Sequence, residues 1–304
     1  MSKKTVANLM LLLAALCWGA SYPIQAKSVE LLHPFDINAI KSLMGAVILY
    51  PVIKYWGRNL PKPTATQKRD LVIGSLICGG TVLIGGILQQ LGLMTTTAGK
   101  AGFLTSMYVV MVPIMGLFLG RRVSGMGWFS VGLATVGLYL LCMTDSFSLA
   151  IGDIYIMGCA FVYAIQIMAI GHYSTKVNPM DLALGQFVVS GFASLVMCLL
   201  FSRPTMDAIM ACMPYLIYLG VFSSAVAFTL QVTAQKNTTP MAASLILSLE
   251  SVFAVLTGAI FLHEQMSTKE LIGCGVMFAA IIISQLPERK KATRFVTEEE
   301  IVNK

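Results

Sequence analysis

Charged side chains are scarce in this chain. Only 12% of the 304 residues are Asp, Glu, Lys or Arg, whereas a soluble domain normally carries about 25%. Hydrophobic residues make up 57% of the sequence, and the mean hydropathy is +0.78. A chain with so few charges cannot cover a water-facing surface, so the composition excludes a soluble globular protein and predicts one that crosses a membrane many times.

Patterns that bind metals, cofactors or nucleotides are missing as well. The seven cysteines form no CxxC pair, which leaves neither a zinc site nor a redox motif and favours small packing residues. The three histidines are far apart in the sequence, so no metal site is predicted. No GxxxxGK[ST] loop occurs, because "TTAGKAG" (96–102) has the wrong spacing. We therefore predict no cofactor and no hydrolysis of ATP.

Long polar segments are limited to "GRNLPKPTATQKRD" (57–70) and the charged tail 288–304. Outside these two segments the chain consists mainly of apolar stretches of the length that spans a bilayer. The first stretch shows no cleavage signal, so it is interpreted as a membrane helix and not as a removed signal peptide. The ten predicted membrane segments are 6–27, 36–56, 70–94, 97–119, 123–143, 153–173, 180–201, 211–235, 239–262 and 268–286.

The distribution of basic residues predicts the orientation. If the N-terminus is cytoplasmic, 16 of the 21 Lys and Arg residues fall on the cytoplasmic side. The positive-inside rule therefore places both termini in the cytoplasm, with the tail 288–304 on the same side. The net charge of +7 then faces the anionic inner leaflet of a bacterial inner membrane, not a nucleic acid.

The chain also resembles itself. At an offset of 145 residues, Trp18 aligns with Tyr163 and Lys41 with Gln186; at an offset of 143, Met107 aligns with Glu250. These matches predict two units, residues 1–145 and 146–287, with five helices each. Because five is odd, the second unit enters the membrane from the opposite side. Such inverted repeats are typical of secondary transporters with a site near the midplane.

"LLLAALCWGASYPIQAK" (11–27) followed by "PFDINAIKSLMGAVIL" resembles the opening of a repeat of the EamA type in the drug/metabolite transporter superfamily. "AIFLHEQMSTKELIGCGVMFAAIIIS" (259–284) is similar to its end. The resemblance implies an all-α membrane protein with ten transmembrane helices, arranged as two inverted five-helix repeats around a central cavity, and transport of small metabolites or drugs. Two positions depart from the family pattern: its second-helix Arg is Lys41, and the Glu after its fourth helix is Arg121.

Glu250 is the most informative single residue. It lies inside the apolar stretch 244–265, roughly 15 Å from the helix end, which is the middle of a hydrocarbon core about 30 Å thick. An isolated carboxylate there is costly, so it is either permanently protonated and bonded to a neighbouring helix or used to bind protons or a cationic group. We predict the second role, proton coupling.

Further polar and aromatic side chains occur at comparable depths. Lys41 either faces a cavity or extends to the headgroups; the aromatic residues serve packing or substrate contact, and the glutamines either join helices or bind ligand. Gln89 and its neighbour Gln90 cannot both face inward. The predicted substrate-binding set is Trp18, Tyr22, Lys41, Gln89, Tyr108, Tyr163, Gln166, Gln186 and Glu250.

Glycine, proline and acidic residues near helix ends carry structural predictions. The small residues of "GSLICGGTVLIGG" (74–86) and "GCGVMFAA" (273–280) are expected to allow close helix contact. Pro23 is a candidate hinge. Asp153 and Glu264 are expected to cap helices.

These features predict a secondary active transporter of small metabolites, such as amino acids or related amphipathic compounds. The expected activity is export by proton antiport with alternating access. An uncoupled facilitator or exchanger, or an uptake carrier of the same fold, remains an alternative. A membrane-embedded enzyme is disfavoured, because no paired carboxylates or His/Asp/Ser cluster occur at one depth.

Overall fold

The computed structural model describes residues 2–56, 63–142, 150–262 and 267–286. These residues form helices, and no strand occurs among them. We number the ten membrane spans in chain order. Their helices are span 1, Lys3–Gly19 and Ser21–Leu31; span 2, Pro34–Trp56; span 3, Ala65–Leu93; span 4, Ala98–Ser106 and Tyr108–Phe118; span 5, Gly125–Cys142; span 6, Ile151–Tyr173; span 7, Pro179–Phe201; span 8, Met206–Tyr218, a π-helix at Leu219–Val226, and Ala227–Gln235; span 9, Pro240–Leu247 and Glu250–Leu262; and span 10, Thr268–Gln285.

Nine of these spans, within the described residues, are long and apolar enough to cross a membrane, and span 5 contributes the shorter apolar helix Gly125–Leu141. The helical fold and the predicted segments are thereby confirmed. In six of the ten spans (1, 2, 3, 6, 7 and 8) the helices are longer than the predicted segments, because capping residues and not the apolar core set their ends. Span 3 begins at Ala65, five residues before the predicted start, where the Thr64 side chain accepts from the Gln67 N–H in a capping box.

Four spans depart from a regular α-helix. Span 1 is interrupted at Ala20, span 4 at Met107 and span 9 at residues 248–249, whereas span 8 continues through the π-helix Leu219–Val226. The break in span 1 follows from Pro23, whose ring conflicts with the Gly19 carbonyl one turn earlier. In spans 4 and 9 the chain tightens locally: the Met107 N–H bonds to the Leu104 carbonyl, and the Leu249 N–H to the Ile246 carbonyl.

Pairs of spans pack along their lengths in a regular scheme. Span 2 packs on span 7, span 5 on span 10, span 4 on span 9, span 3 on span 6 and span 1 on span 8. A two-fold axis between the halves would produce this pairing, since it exchanges each span with the one five places earlier or later. The first three pairs are each exchanged within themselves, and the pair of spans 3 and 6 is exchanged with the pair of spans 8 and 1. The boundary between residues 145 and 146 stays a prediction, because residues 143–149 lie outside the described residues, as do Glu264, His263 and the tail 288–304.

Small residues bring helices together at several of the predicted places. A Cβ at Gly79 would lie 2.6 Å from the Val189 Cβ of span 7, and one at Gly273 would lie 2.7 Å from the Leu141 backbone nitrogen of span 5. Gly80, the neighbour of Gly79, faces open space instead. Other glycines of span 3 approach different neighbours: a Cβ at Gly85 would lie 2.5 Å from the Tyr163 ring of span 6, and one at Gly86 would lie 2.5 Å from Asn38 of span 2.

Candidate functional site

A cavity lies where spans 1, 2, 3, 4, 6, 8 and 9 meet, and the space between its lining residues, including the part that opens to solvent, is about 510 Å³. Residues before and after position 145 contribute to its wall. The lining residues are Trp18, Ser21, Tyr22, Gln25, Lys41, Gln89, Tyr108, Tyr163, Gln166, Ile167, Ser223, Phe228, Gln231, Leu247 and Glu250.

All but one of the nine predicted substrate-binding residues line this cavity. The exception is Gln186, which is fully buried in span 7 and accepts a hydrogen bond from Gln166 at 3.5 Å. It lies behind the wall and supports Gln166. Of the two adjacent glutamines, Gln89 lines the cavity, whereas Gln90 is fully buried beside span 2.

Glu250 is the first residue of the second helix of span 9, and only 4% of its surface is exposed. Its Oε1 accepts a hydrogen bond from the Tyr108 hydroxyl at 3.0 Å, and the Ser106 hydroxyl, a second possible donor, lies 3.4 Å away. Both donors flank the break in span 4. A helix N-terminus also favours a negative charge, so the chain break provides part of the stabilisation that a carboxylate at this depth needs.

Tyr22 belongs to the same cluster. Its hydroxyl accepts from Gln89 Nε2 at 3.4 Å, and Gln89 also donates to Thr105 at 3.5 Å. These contacts connect spans 1, 3 and 4. These hydrogen bonds hold the Tyr22 hydroxyl near Glu250, and they orient the Gln89 amide towards the cavity.

Lys41 lines the cavity from span 2 and is 8% exposed. With the Gln90 amide oriented to satisfy both of its groups, its oxygen accepts from Lys41 Nζ at 3.2 Å and its nitrogen donates to the Pro34 carbonyl at 2.9 Å. Among the described residues no ion pair within 4 Å joins Lys41 to Glu250. The cavity therefore presents a basic and an acidic group that do not neutralise each other by direct contact.

The Trp18 side chain has a structural partner. Its indole N–H donates to the Ser223 carbonyl at 2.9 Å, within the π-helix of span 8. Its ring meets the Phe228 ring edge to face, with centroids 4.8 Å apart. The π-helix thus frees a carbonyl that fixes Trp18, and the two rings form an apolar wall opposite the polar groups.

Seven lining residues lie outside the predicted substrate-binding set: Ser21, Gln25, Ile167, Ser223, Phe228, Gln231 and Leu247. Gln25 and Gln231 each carry a buried amide oxygen with no hydrogen-bond partner among the described residues. The signal that could have found them is their depth, since both are uncharged polar residues in apolar spans. Together they add two hydrogen-bond acceptors to the cavity.

Asp153 caps a helix as predicted, and it also contacts the first half of the chain. It accepts from the Ala150 N–H at 2.8 Å, from Thr96 at 2.8 Å and from Lys100 Nζ at 2.6 Å. Thr96 and Lys100 belong to the connection between spans 3 and 4 and to the start of span 4. This buried carboxylate therefore joins the two halves away from the cavity.

No group of three or more His, Cys, Asp or Glu in the described part of the chain could hold a metal ion. The six cysteines with described side chains are free thiols; the Cys142 side chain is outside that part. The polar groups of the cavity are amides, hydroxyls, one amine and one carboxyl group. Such groups bind an organic solute by hydrogen bonds and charge.

Comparison with known proteins gives consistent results. A model of the EamA-like transporter family matches residues 5–143 and 150–286. A protein of Archaeoglobus fulgidus, named as an uncharacterized transporter, is 33% identical over 294 residues, covering 93% of this chain and 87% of that protein. The threonine/homoserine exporter RhtA of Escherichia coli is 24% identical over 296 residues, covering 94% of this chain and 93% of RhtA. A crystal structure with 16% identity shares the fold, with a TM-score of 0.76 over 92% of this chain and 96% of that chain.

Proposed function

The chain belongs to the EamA-like transporter family, and we propose that it exports a small zwitterionic metabolite, an amino acid or a related amphipathic compound, in exchange for protons. Family membership makes it a multi-pass membrane transporter and not an enzyme. The substrate, the direction and the coupling ion are our proposals. The observation that carries them is the presence of Lys41 and Glu250 in one cavity without a direct ion pair.

The charges of the cavity complement those of an amino acid. Glu250 and the unpaired amide oxygens of Gln25 and Gln231 can accept hydrogen bonds from an ammonium group. Lys41 can donate to a carboxylate. The apolar wall of Trp18 and Phe228 can take the side chain of the substrate. A bound zwitterion would pair with both charged residues at once, whereas Lys41 and Glu250 do not pair with each other.

Proton exchange follows from the position of Glu250. A carboxylate in so buried a position is stable only if it is paired, hydrogen-bonded or protonated. An ammonium group and a proton would compete for it, so the release of one would accompany the binding of the other. This competition links the flux of substrate to the opposite flux of protons.

The breaks in spans 1, 4 and 9 and the π-helix of span 8 support alternating access. All four spans line the cavity, and discontinuous helices at a central site are typical of carriers whose halves move against each other. We infer that both termini are cytoplasmic and that the membrane is a bacterial inner membrane, because the basic residues cluster on one side.

Glu250→Gln tests the coupling. The substrate is first chosen by a thermal-shift screen of the purified protein at two pH values, starting with threonine and homoserine. Proteoliposomes with an acidic interior should then accumulate the labelled compound, since protons leaving the vesicle drive it inward. We expect Glu250→Gln to abolish this accumulation.

The matched control is Glu30→Gln, which neutralises an exposed carboxylate that pairs with Lys27 outside the cavity. It should accumulate substrate as the wild type does. Equal accumulation by Glu250→Gln and the wild type would contradict the assignment of Glu250. Exchange by the wild type that does not depend on pH would favour the uncoupled facilitator.

A further inference from the structure

Two buried serines connect Glu250 to the backbone of span 4. Ser106, the last residue before the break in span 4, is 2.6 Å from the Ser251 hydroxyl and 3.4 Å from Glu250 Oε1. Ser251, which follows Glu250 in span 9, donates to the Gly102 carbonyl at 3.0 Å. Both serines are fully buried. The oxygens thus form a row from the carboxyl group through two hydroxyls to a main-chain carbonyl.

The number of hydrogens in this row is too small for all of its contacts. Each hydroxyl has one hydrogen to donate. With Ser251 donating to Gly102, Ser106 can give its hydrogen either to Ser251 or to Glu250. The short distance to Ser251 and the long one to Glu250 correspond to the first choice, with Ser106 donating to Ser251 and Ser251 to Gly102.

We propose that Ser106 and Ser251 are positioning residues that reverse the direction of their hydrogen bonds when Glu250 exchanges its proton, and so pass its state to the broken helices of spans 4 and 9. This role rests on the proposed binding of protons by Glu250. When the carboxyl group is neutral, the row runs from Ser106 to Ser251 to Gly102. When it is ionised, Ser106 donates to the carboxylate, because bonds to charged acceptors are stronger. Ser251 then donates to Ser106 and releases the Gly102 carbonyl.

The reversal changes a hydrogen bond between span 4 and span 9. Gly102 lies in the first helix of span 4, and Ser251 in the second helix of span 9. Their bond therefore joins the two halves of the chain only while Glu250 holds a proton. Ionisation replaces this bond with the bond from Ser106 to the Glu250 carboxylate, so the hydrogen bonds between spans 4 and 9 shift from Gly102 to the two breaks that Ser106 and Glu250 flank.

Other groups also surround Glu250. Tyr108 donates directly to the carboxyl group. Lys41 is the positive residue of the cavity wall, and no ion pair with Glu250 is formed among the described residues. The titratable groups that interact with its charge are Tyr22 and Tyr108 from spans 1 and 4, and Cys159 and Tyr163 from span 6.

Titration of the Glu250 carboxyl group by infrared spectroscopy tests the proposal without any substrate. The full-length protein is reconstituted in lipid, and the band that Glu250→Gln removes is followed against pH. Ser106→Ala deletes a donor to the ionised form, so the midpoint should move up by about one pH unit. Ser251→Ala deletes the competing acceptor, so Ser106 is free to serve the carboxylate and the midpoint should move down by a similar amount.

The two alanine variants are expected to shift the titration midpoint in opposite directions, which a role in packing alone would not produce. Ser106→Thr and Ser251→Thr, which keep the hydroxyl, should restore the wild-type midpoint, and Ser130→Ala, a buried serine of span 5, should not change it. If an alanine variant does not fold, the cysteine replacement should give the same sign with a smaller shift. Unchanged midpoints, or shifts in the same direction, would overturn the relay. If Glu250→Gln removes no titrating band, the proton-binding role itself is wrong.

Discussion

At the scale of single residues, the site is defined by where an acid and a base are held. Glu250 is held by Tyr108 from span 4, with the Ser106 hydroxyl 3.4 Å away, and Lys41 is held by Gln90 from span 3. Each charged group thus has partners from the protein and still reaches the cavity. This arrangement lets both of them bind a substrate without a change in their own helices.

Lys41→Gln should weaken the binding of an amino acid by roughly 10- to 100-fold, because it removes a hydrogen bond between two charged groups. It should have little effect on the corresponding amine, which lacks the carboxylate. Calorimetric titration of the purified protein with both compounds measures the difference. Lys54→Gln, an exposed lysine of span 2, is the control. Equal losses for the amino acid and the amine would show that Lys41 does not contact the carboxylate.

The sequence predicts which polar residues lie in the membrane spans better than it predicts where their side chains point. Depth, the internal repeat and the family resemblance together selected eight residues of the wall, because polar and aromatic groups in apolar spans have few other places to go. The prediction placed Gln186 in the cavity because the repeat aligns it with Lys41, yet the tight packing of spans 2 and 7 holds it behind Gln166. The role proposed for Ser106 and Ser251 could not be predicted, since it depends on distances between spans.

At the scale of helices, the breaks are the feature that brings the site together. Spans 4 and 9 are interrupted at positions 107 and 248–249, which the repeat aligns closely. Apolar periodicity predicts both as continuous, because a single tight turn leaves the apolar pattern unchanged. Pro23 marked the break in span 1, whereas no proline lies at the breaks in spans 4 and 9. Thr64 and Asp153 are both of residue types that favour helix N-termini, but only Asp153 was predicted to be a cap.

Gly19→Ala should disturb the contact between spans 1 and 9. A Cβ there would lie 2.5 Å from the Glu250 carbonyl oxygen and 2.5 Å from the Phe253 Cβ. The backbone cannot move aside as a flexible side chain would, so we expect a loss of about 1–3 kcal/mol in the free energy of unfolding. Thermal unfolding in detergent measures it as a drop in Tm of several degrees.

Gly80→Ala provides the control for this prediction. It adds the same methyl group to span 3 at a position that faces open space, and alanine has the higher helix propensity. The Tm of Gly80→Ala should therefore stay the same or rise slightly. Equal losses from both variants would mean that the close approach of Gly19 to the break in span 9 is unimportant.

At the scale of the whole molecule, the two halves share one cavity. Family membership and the helical fold could be predicted from composition, segment length and repeated motifs, and both are confirmed. The relative placement of the halves could not, because it is set by packing between spans distant in sequence, such as spans 3 and 6. The bond network of Asp153 with Thr96 and Lys100 is an example, since it joins two connections more than fifty residues apart.

The central claim is that substrate and proton compete for one carboxyl group in a chamber that both halves enclose. Calorimetric titration in two buffers with different ionisation enthalpies tests it directly, with the amino acid selected by the thermal-shift screen. The account predicts that binding releases about one proton per substrate molecule from the wild-type protein, and none from Glu250→Gln. Tight binding to the wild type with no release of protons at any pH would contradict it.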